Sequence, residues 1–274
     1  MSKFQRIYWA KDFDWDSYSK LYDKYAKSKG SYYLQTSSKL IDSVKLAKSS
    51  KVLDLACGTG ALSMVLLKQF PGVNILAVDL SKEMLKYYKK NLSKQVKNGQ
   101  IVVKDGNAEG IDKLSEEKYD VIFVSSALWD LEIESFVKSA KGVLKNGGKI
   151  VFNLPSLVVE KERGFIYFIE HFFRQTLQSD IIYRRIPIDY LKKIFEKNGF
   201  KLSTMKDYSF NMSKKNVTDF FDVLRYRYPF ILFPKEMPYP QKLKRCTEIF
   251  NDSLRYVPKE GLDEEGVIFV FEKN

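Results

Sequence analysis

One stretch of the sequence decides the fold: Lys51-Val52-Leu53-Asp54-Leu55-Ala56-Cys57-Gly58-Thr59-Gly60. Its first half is a short apolar run of the kind that forms a strand buried on both faces of a parallel sheet. The residues after it, 61–67, are good helix formers, and Phe70-Pro71-Gly72 supplies a stop. The stretch therefore predicts a strand, a glycine turn and a helix, an arrangement in which backbone N–H groups can face a ligand.

The same alternation of strand and helix continues on the carboxyl-terminal side of this stretch. Apolar runs predict strands over 73–79, 101–104, 119–124 and 149–154, a sixth from residue 200 and a last one over 266–271. Helices are predicted between them, among others over 133–144 and 188–198. Such alternation produces right-handed βαβ units. We therefore expect an α/β fold: a doubly wound, mostly parallel seven-stranded sheet with helical and aromatic cap insertions.

The composition is that of a globular protein with a strong positive charge. Of 274 residues, 45% are hydrophobic and 29% are charged, and the formal net charge is +12. This charge favours an anionic partner, although a lysine-rich surface also serves solubility alone. No apolar run reaches the roughly 20 residues of a membrane-spanning helix, and residues 1–16 lack the apolar region of a secretory signal.

The cysteine content agrees with a reducing compartment. Cys57 and Cys246 lie far apart in the sequence and show no metal-ligand spacing. We therefore expect a cytoplasmic protein with no structural disulfide and no metal site.

Three classes of cofactor compete for a glycine turn that follows a strand. A phosphate-binding loop needs Lys-Ser or Lys-Thr after its last glycine, but Ala61-Leu62 follows here. A dinucleotide fold favours a third glycine or alanine where Ser63 stands, and the Asp54 carboxylate would lie close to the pyrophosphate. A carboxylate at this position suits a ligand that carries an ammonium group.

Four motifs in the expected order resemble those of the class I S-adenosylmethionine-dependent methyltransferases. Residues 54–60 are similar to the first motif of this family, and residues 78–85 are similar to the second, whose acid binds the ribose hydroxyls. Residues 106–109 resemble the adenine-edge motif, and residues 124–129 occupy the end of the fourth strand. The resemblance covers residues 50–155, and it extends to the small-molecule enzymes of the ubiquinone and menaquinone type.

The resemblance implies a cofactor, S-adenosyl-L-methionine, with S-adenosyl-L-homocysteine as its product. The residues that it assigns to the cofactor are Tyr22, Asp54, Ala56, Gly58, Gly60, Asp79, Leu80, Met84, Asn107, Ala108 and Ser125. Several have a structural alternative: Tyr22 could only pack on the sheet, Asn107 could be a plain turn residue, and Ser125 could cap a helix.

The resemblance also suggests a division of the chain. Its segments are an N-terminal helical lid (1–50), the cofactor core (51–155), a helical cap insertion (156–186), a core helix and strand (187–210), an aromatic-rich cap insertion (211–262) and the final core strand (263–274). Because inserted segments carry specificity while the sheet holds the cofactor, the substrate should contact the two insertions.

The aromatic insertions predict an apolar or amphiphilic acceptor, such as a quinone, a phenol or a lipid. The residues expected in its pocket are Trp129, Phe168, Phe172 and Tyr226. A base is optional for methyl transfer; His171 is a candidate if its helix face points into the pocket and is otherwise an exposed side chain. A basic group beside the insertions could meet an anionic head group or a membrane surface, and consists of Arg225, Arg227, Lys242, Lys244 and Arg245.

Two other functions stay open. Basic charge with interleaved aromatic residues allows RNA methylation, although the chain lacks a recognisable RNA-binding module. The chain could also bind the cofactor without catalysis, if Trp129 fills the acceptor pocket. No residue in the sequence dictates the acceptor atom.

Overall fold

The computed structural model describes residues 13–159, 164–177, 186–229, 233 and 236–274. The expected lid (1–50) and the two expected cap insertions (156–186 and 211–262) therefore lie partly outside the described residues.

A seven-stranded sheet organises the described residues. Its strands are β1 (Lys51–Leu55), β2 (Asn74–Asp79), β3 (Ile101–Asp105), β4 (Tyr119–Val124), β5 (Leu144–Pro155), β6 (Phe200–Met212) and β7 (Leu262–Lys273). Their order is β3-β2-β1-β4-β5-β7-β6. The first five strands pair in parallel. The predicted α/β class and the position of the opening strand agree with this sheet.

The sheet is mixed, because β7 runs antiparallel to both of its neighbours, β5 and β6. Four of the six described strand pairs are parallel and the two that involve β7 are antiparallel. The prediction of a mostly parallel sheet therefore holds for β1 to β5. The last two strands are also longer than their apolar runs predict. Their pairing continues as far as Met212 and Leu262, since each supplies the other's backbone hydrogen bonds beyond the body of the sheet.

Helices cover both faces of the sheet. In the described residues they are α1 (Trp15–Ala26), α2 (Tyr32–Ile41), α3 (Ala61–Gln69), α4 (Lys82–Asn91), α5 (Ser93–Lys97), α6 (Ile133–Val143), α7 (Phe165–Leu177), α8 (Ile188–Lys197), α9 (Lys214–Arg227) and α10 (Tyr239–Leu254). One core contains α6 and α8, and the core on the other face contains α2, α3 and α4. Ser81 caps the start of helix α4, because its hydroxyl accepts a hydrogen bond from the backbone N–H of Met84 at 3.1 Å.

A third, aromatic core joins the amino-terminal helices to both insertions. Phe220 on α9 stacks on Tyr25 of α1 and Tyr32 of α2, with ring centroids 4.9 and 5.1 Å apart, and lies 5.6 Å from Phe165 of α7. Burial of such rings is a large source of packing energy. It holds the four helices together beside the carboxyl ends of the strands. None of the helices that the structure describes is long and apolar enough to span a membrane.

Candidate functional site

The turn after β1 has the backbone conformation that its glycines predict. Ala56, Gly58 and Gly60 have φ values of 51°, 53° and 98°, in the left-handed region. A Cβ on Gly58 would lie 3.3 Å from the Tyr22 ring, and one on Gly60 would lie 3.0 Å from the Tyr88 ring. The absence of a side chain at Gly58 therefore allows the close approach of α1, and its absence at Gly60 allows the close approach of α4.

Asp79, at the end of β2, faces this turn. Its Oδ2 accepts a hydrogen bond from the Gly58 N–H at 2.8 Å, and its Oδ1 accepts one from the Ser81 N–H at 2.9 Å. Burial raises its pKa, while the backbone donors act in the opposite direction. Each carboxylate oxygen can accept a further hydrogen bond. The two neighbouring hydroxyls of a ribose therefore fit this carboxylate.

A cavity opens between this turn, the ends of the strands and the lid helix α1. Its empty space, including the open mouth, is about 1350 Å³. Nine of the eleven residues predicted to bind the cofactor line it: Tyr22, Ala56, Gly58, Asp79, Leu80, Met84, Asn107, Ala108 and Ser125. Residues from five separate parts of the chain thus meet in a space of the size of a nucleoside-bearing cofactor.

Asp54 and Gly60 do not line this cavity. Asp54 is 1% exposed and lies behind the turn, where its Oδ2 accepts a hydrogen bond from the Ser63 hydroxyl at 2.7 Å. Ser63 in turn accepts one from the Tyr88 hydroxyl at 2.7 Å. Direct contact between Asp54 and a ligand's ammonium group, which the sequence suggested, is therefore corrected to support of the turn from behind.

Asn107, expected at the adenine edge, carries a second, structural task. Its Oδ1 accepts a hydrogen bond from the Glu109 N–H at 2.9 Å and caps a short 3₁₀ helix, Ala108–Lys113. Asn107 also lines the cavity, so the turn role and the predicted binding role are compatible. Ser125, after β4, lines the cavity too, and its Oγ lies 3.5 Å from the Oγ of Ser37. The helical turn that follows it has Ala127 at its N-cap position and no side-chain cap.

A second pocket lies beside the cofactor cavity and is apolar. It has about 670 Å³ of empty space. Its described lining is Tyr32, Tyr33, Trp129, Pro155, Val158, Ile166, Phe220, Leu224, Arg227 and Tyr228. Trp129 forms one wall and leaves this volume open, so its ring does not fill the space.

Three of the four aromatic residues predicted for this pocket lie elsewhere. Phe168, Phe172 and Tyr226 are half-buried and pack against the aromatic core without lining the pocket. The reason is helical phase: α7 presents Ile166, and α9 presents Phe220 and Leu224, on the faces opposite to the predicted ones. Of the predicted set, only Trp129 lines the pocket.

His171 lies on the exposed face of α7. Its side chain is exposed, its ring lies 6.0 Å from that of Tyr167, and it lines neither cavity. The condition under which it was a candidate base, a helix face turned into the pocket, is not met. Among the described residues, no cluster of His, Cys, Asp and Glu has the arrangement of a metal site.

Two residues that the sequence did not single out for the site line both cavities: Tyr33 and Arg227. The Nη2 of Arg227 lies 2.8 Å from each carboxylate oxygen of Asp130, and its guanidinium lies 4.9 Å from the centroid of the Trp15 ring. These contacts join α1, α9 and the turn after β4 at the junction of the two cavities. Phe220 and Arg227 are seven residues apart on α9 and therefore lie on the same helix face. This spacing is the sequence signal from which the position of Arg227 could have been predicted.

The predicted basic surface is smaller than expected. Arg227 is buried at the junction with a side chain only 13% exposed, and Lys242 is also buried. Lys244 and Arg245 are exposed and Arg225 is half-buried. Two of the five cations are therefore unavailable to a membrane surface.

The chain is similar to methyltransferases over the region that builds the cofactor cavity. Residues 52–148 match the family described as "Methyltransferase domain". The malonyl-[acyl-carrier protein] O-methyltransferase of Halalkalibacterium halodurans is 34% identical over 145 residues, 52% of this chain and 51% of that protein. The demethylmenaquinone methyltransferase of Lactobacillus johnsonii is 28% identical over 114 residues, 41% of this chain and 46% of that protein. The chain thus spans about half the length of these curated relatives.

A solved structure extends the similarity in fold to the whole chain. The phosphoethanolamine N-methyltransferase 2 of Haemonchus contortus, solved with phosphomonomethylethanolamine and S-adenosylhomocysteine, covers 100% of this chain and 60% of its own. The TM-score is 0.57 at 15% sequence identity. At this identity the likeness concerns the fold and leaves the acceptor undetermined.

Proposed function

We propose that this chain, a class I S-adenosylmethionine-dependent methyltransferase by its domain at residues 52–148, methylates a small apolar or amphiphilic acceptor. The observation that carries the proposal is the apolar pocket beside the cofactor cavity, with Tyr33 and Arg227 shared between the two. A methyl group on one side and an acceptor on the other would meet at these residues.

The residues that line the first cavity fit S-adenosylmethionine in shape and in chemistry. The Asp79 carboxylate suits the ribose hydroxyls, and Gly58 leaves space beside the Tyr22 ring. When bound, the cofactor supplies an electrophilic methyl group on a positively charged sulfur. The electron-rich face of Tyr22 would stabilise such a cation by about 0.5–2 kcal/mol.

The acceptor pocket supports a small molecule with an apolar body. Its described lining is dominated by aromatic and aliphatic side chains, and helices α2, α7 and α9 contribute to it. A quinone, a phenol or an acyl chain is compatible with this surface. The L. johnsonii relative is named for demethylmenaquinone, whereas the H. halodurans relative is named for a malonyl group on an acyl-carrier protein. In this proposal residues 1–50 act as the lid, and the insertions 156–186 and 211–262 act as the cap.

Methyl transfer needs alignment more than it needs a base. The acceptor atom must approach in line at about 3–3.5 Å with a free lone pair. Orientation by the pocket walls, together with exclusion of water by the cap, would supply this. His171 has no part in the proposal.

Three observations bear on the remaining expectations. Cys57 and Cys246 are both free thiols, which supports the proposal of a reducing compartment such as the cytoplasm. A pocket that is walled by three helices favours a small molecule over a base in RNA. The volume that remains beside Trp129 argues against a protein that only binds the cofactor.

The experiment is methylation of an extract with the purified chain and S-adenosylmethionine labelled in its methyl group. We expect the label in the lipid and quinone fraction. Label found only in RNA or protein would reject the proposal. An Asp79→Ala variant is the control, because loss of the ribose contact should weaken S-adenosylhomocysteine binding by about 100-fold and abolish the labelling.

A further inference from the structure

An ion pair between Asp130 and Arg227 lies at the junction of the two cavities. Asp130 lines only the cofactor cavity, while Arg227 lines the acceptor pocket as well. Both carboxylate oxygens of Asp130 lie 2.8 Å from Arg227, and the two side chains are only 11% and 13% exposed. The negative end of the pair therefore borders the space for the positively charged sulfur, and the positive end borders the acceptor.

Arg227 is also the single charged residue in the described lining of the acceptor pocket. The other described residues there are aromatic or aliphatic, and none carries a carboxylate. Beside the low-dielectric walls of an apolar pocket, a fixed charge acts more strongly on a substrate than it would in bulk water. The pocket thus combines an apolar wall with one cation at its inner end.

The pKa of Tyr33 depends on the electrostatic field at this junction. It lines both cavities next to Arg227. Burial raises the pKa of Tyr33 to about 12; the Arg227 guanidinium and the hydrogen bond with Tyr22 lower this pKa, and the Asp130 carboxylate raises it by a smaller amount. An acceptor oxygen at the same place would be subject to the same field.

We propose that Arg227 selects an acceptor whose nucleophile is an oxyanion, of which a carboxylate at the end of an apolar chain is the simplest case. This assignment rests on the proposed function. An O–CH₃ bond forms as the S–CH₃ bond of the cofactor breaks, and the bonding electron pair stays on the sulfur. Anion and cation neutralise each other, so that a carboxylate needs no base. An amine would instead develop positive charge beside the guanidinium, which disfavours the transfer.

The test compares three amphiphiles that share one chain and differ in the head group: decanoate, decylamine and decanol. Each is incubated with the full chain and S-adenosylmethionine, and the methylated product is quantified. Binding of each amphiphile to the chain loaded with S-adenosylhomocysteine is measured by calorimetry. We expect decanoate to be bound and methylated at least about tenfold better than the other two.

The variants separate charge from packing. Arg227→Gln is combined with Asp130→Asn, because removal of one partner alone would leave a buried charge unpaired. This pair of changes should weaken decanoate binding by roughly 10- to 100-fold. Arg227→Lys keeps the charge and should keep the preference for the acid. Arg255→Gln is the matched control, because Arg255 is 79% exposed, distant from both cavities, and should leave binding unchanged.

The outcomes distinguish this assignment from the proposed function. Equal use of decanoate and decylamine, or unchanged decanoate binding in the paired variant, would overturn it. If decanoate binds through Arg227 but no amphiphile is methylated, the anion site stands and the proposed reaction fails. Failure to bind S-adenosylhomocysteine removes the premise of both.

Discussion

Asp54 is a buried carboxyl group with a hydroxyl partner and no cation beside it. Burial raises its pKa to about 7, while the hydrogen bond from Ser63 lowers it and the nearby Asp79 raises it. Its surroundings contain two further acidic groups, the thiol of Cys57 and the phenol of Tyr88, which also sense its charge. Its ionisation should therefore oppose folding.

The sign of the pH dependence follows from the raised pKa. The neutral form of Asp54 is favoured in the folded state, so its contribution to stability is complete below about pH 4 and is lost as the pH rises towards 7. For a shift of about three pKa units this amounts to at most roughly 4 kcal/mol. We predict that Asp54→Asn, which keeps a partner for Ser63, gains stability relative to the parent chain over this range.

The measurement is the free energy of unfolding in urea at several pH values for the two proteins without cofactor. The difference between the curves isolates Asp54, since other titrating groups are common to both. Parallel curves between pH 4 and 7 would show that the pKa of Asp54 is not raised in the folded state.

Among single residues, the sequence could predict the location of those that directly follow a predicted strand. Gly58 and Asp79 follow strands, and a parallel sheet brings the carboxyl ends of neighbouring strands to one edge. Arg227 could not be assigned in this way, because its partners Asp130 and Trp15 are distant in sequence. Only the packing of α9 against the core brings the three together.

At the scale of the elements, Glu264 fixes the start of the cap helix α7. It lies on β7, is fully buried, and its Oε2 accepts a hydrogen bond from the Ile166 N–H at 3.4 Å. Burial raises its pKa to about 8. A carboxyl at the first turn of a helix satisfies N–H groups that have no partner within the helix. Loss of this acceptor should loosen α7, one wall of the acceptor pocket.

Two substitutions of Glu264 should change the free energy of unfolding by different amounts. Glu264→Gln resembles the protonated carboxyl and should change stability at pH 4 by less than about 1 kcal/mol, whereas Glu264→Ala should cost about 1–3 kcal/mol there. Because the folded-state pKa is raised, the parent chain loses stability as the pH rises from about 4 to 8. Glu264→Gln should not share this loss and should be more stable than the parent chain at pH 7. Urea unfolding at pH 4 and pH 7 measures both effects. A Gln variant as unstable as the Ala variant at pH 7 would contradict this account.

Helices and strands could be predicted from the sequence where the apolar pattern of a segment corresponds to a single environment along its whole length. Strands β1, β2 and β4 lie within a few residues of their apolar runs because they are buried on both faces, and β3, at the edge of the sheet, is buried only at Ile101. Strand β6 extends beyond its run to Met212, since its backbone is held by β7, a partner that no local pattern indicates. The same limit applies to the faces of α7 and α9: periodicity identified the helices, and tertiary packing decided which face lines the pocket.

At the scale of the whole molecule, helix α1, the proposed lid, borders the cofactor cavity and packs against α9 in the aromatic core. Trp15 and Tyr22 on α1 line the cavity. The Asn91 amide of α4 donates hydrogen bonds to Asp23 of α1 at 2.7 Å and to the carbonyl of Thr59 at 3.0 Å. The lid is thus attached to both the glycine turn and α4.

Occupation of the cavity should therefore stabilise the lid. At a concentration 100 times its Kd, S-adenosylhomocysteine adds about 2.7 kcal/mol to stability by mass action. We predict slower amide hydrogen exchange in α1 at this concentration, by about tenfold or more, with a smaller change in α8, which contributes to neither cavity. Hydrogen exchange with mass spectrometry measures both segments in one experiment. Equal protection of α1 and α8 would indicate global stabilisation without a specific role for the lid.

The sequence by itself determined the alternating α/β architecture and the glycine turn, and its resemblance to the class I S-adenosylmethionine-dependent methyltransferases implied the methyl-donor cofactor. The first two follow from patterns within about thirty residues, because a βαβ unit is local and its ligand lies where the strands end. Tertiary structure alone decided the acceptor pocket, the burial of Arg227 against Asp130 and the withdrawal of Asp54 behind the turn. Those features depend on which helix faces meet across the aromatic core, and the contacts that fix them join residues far apart in the chain.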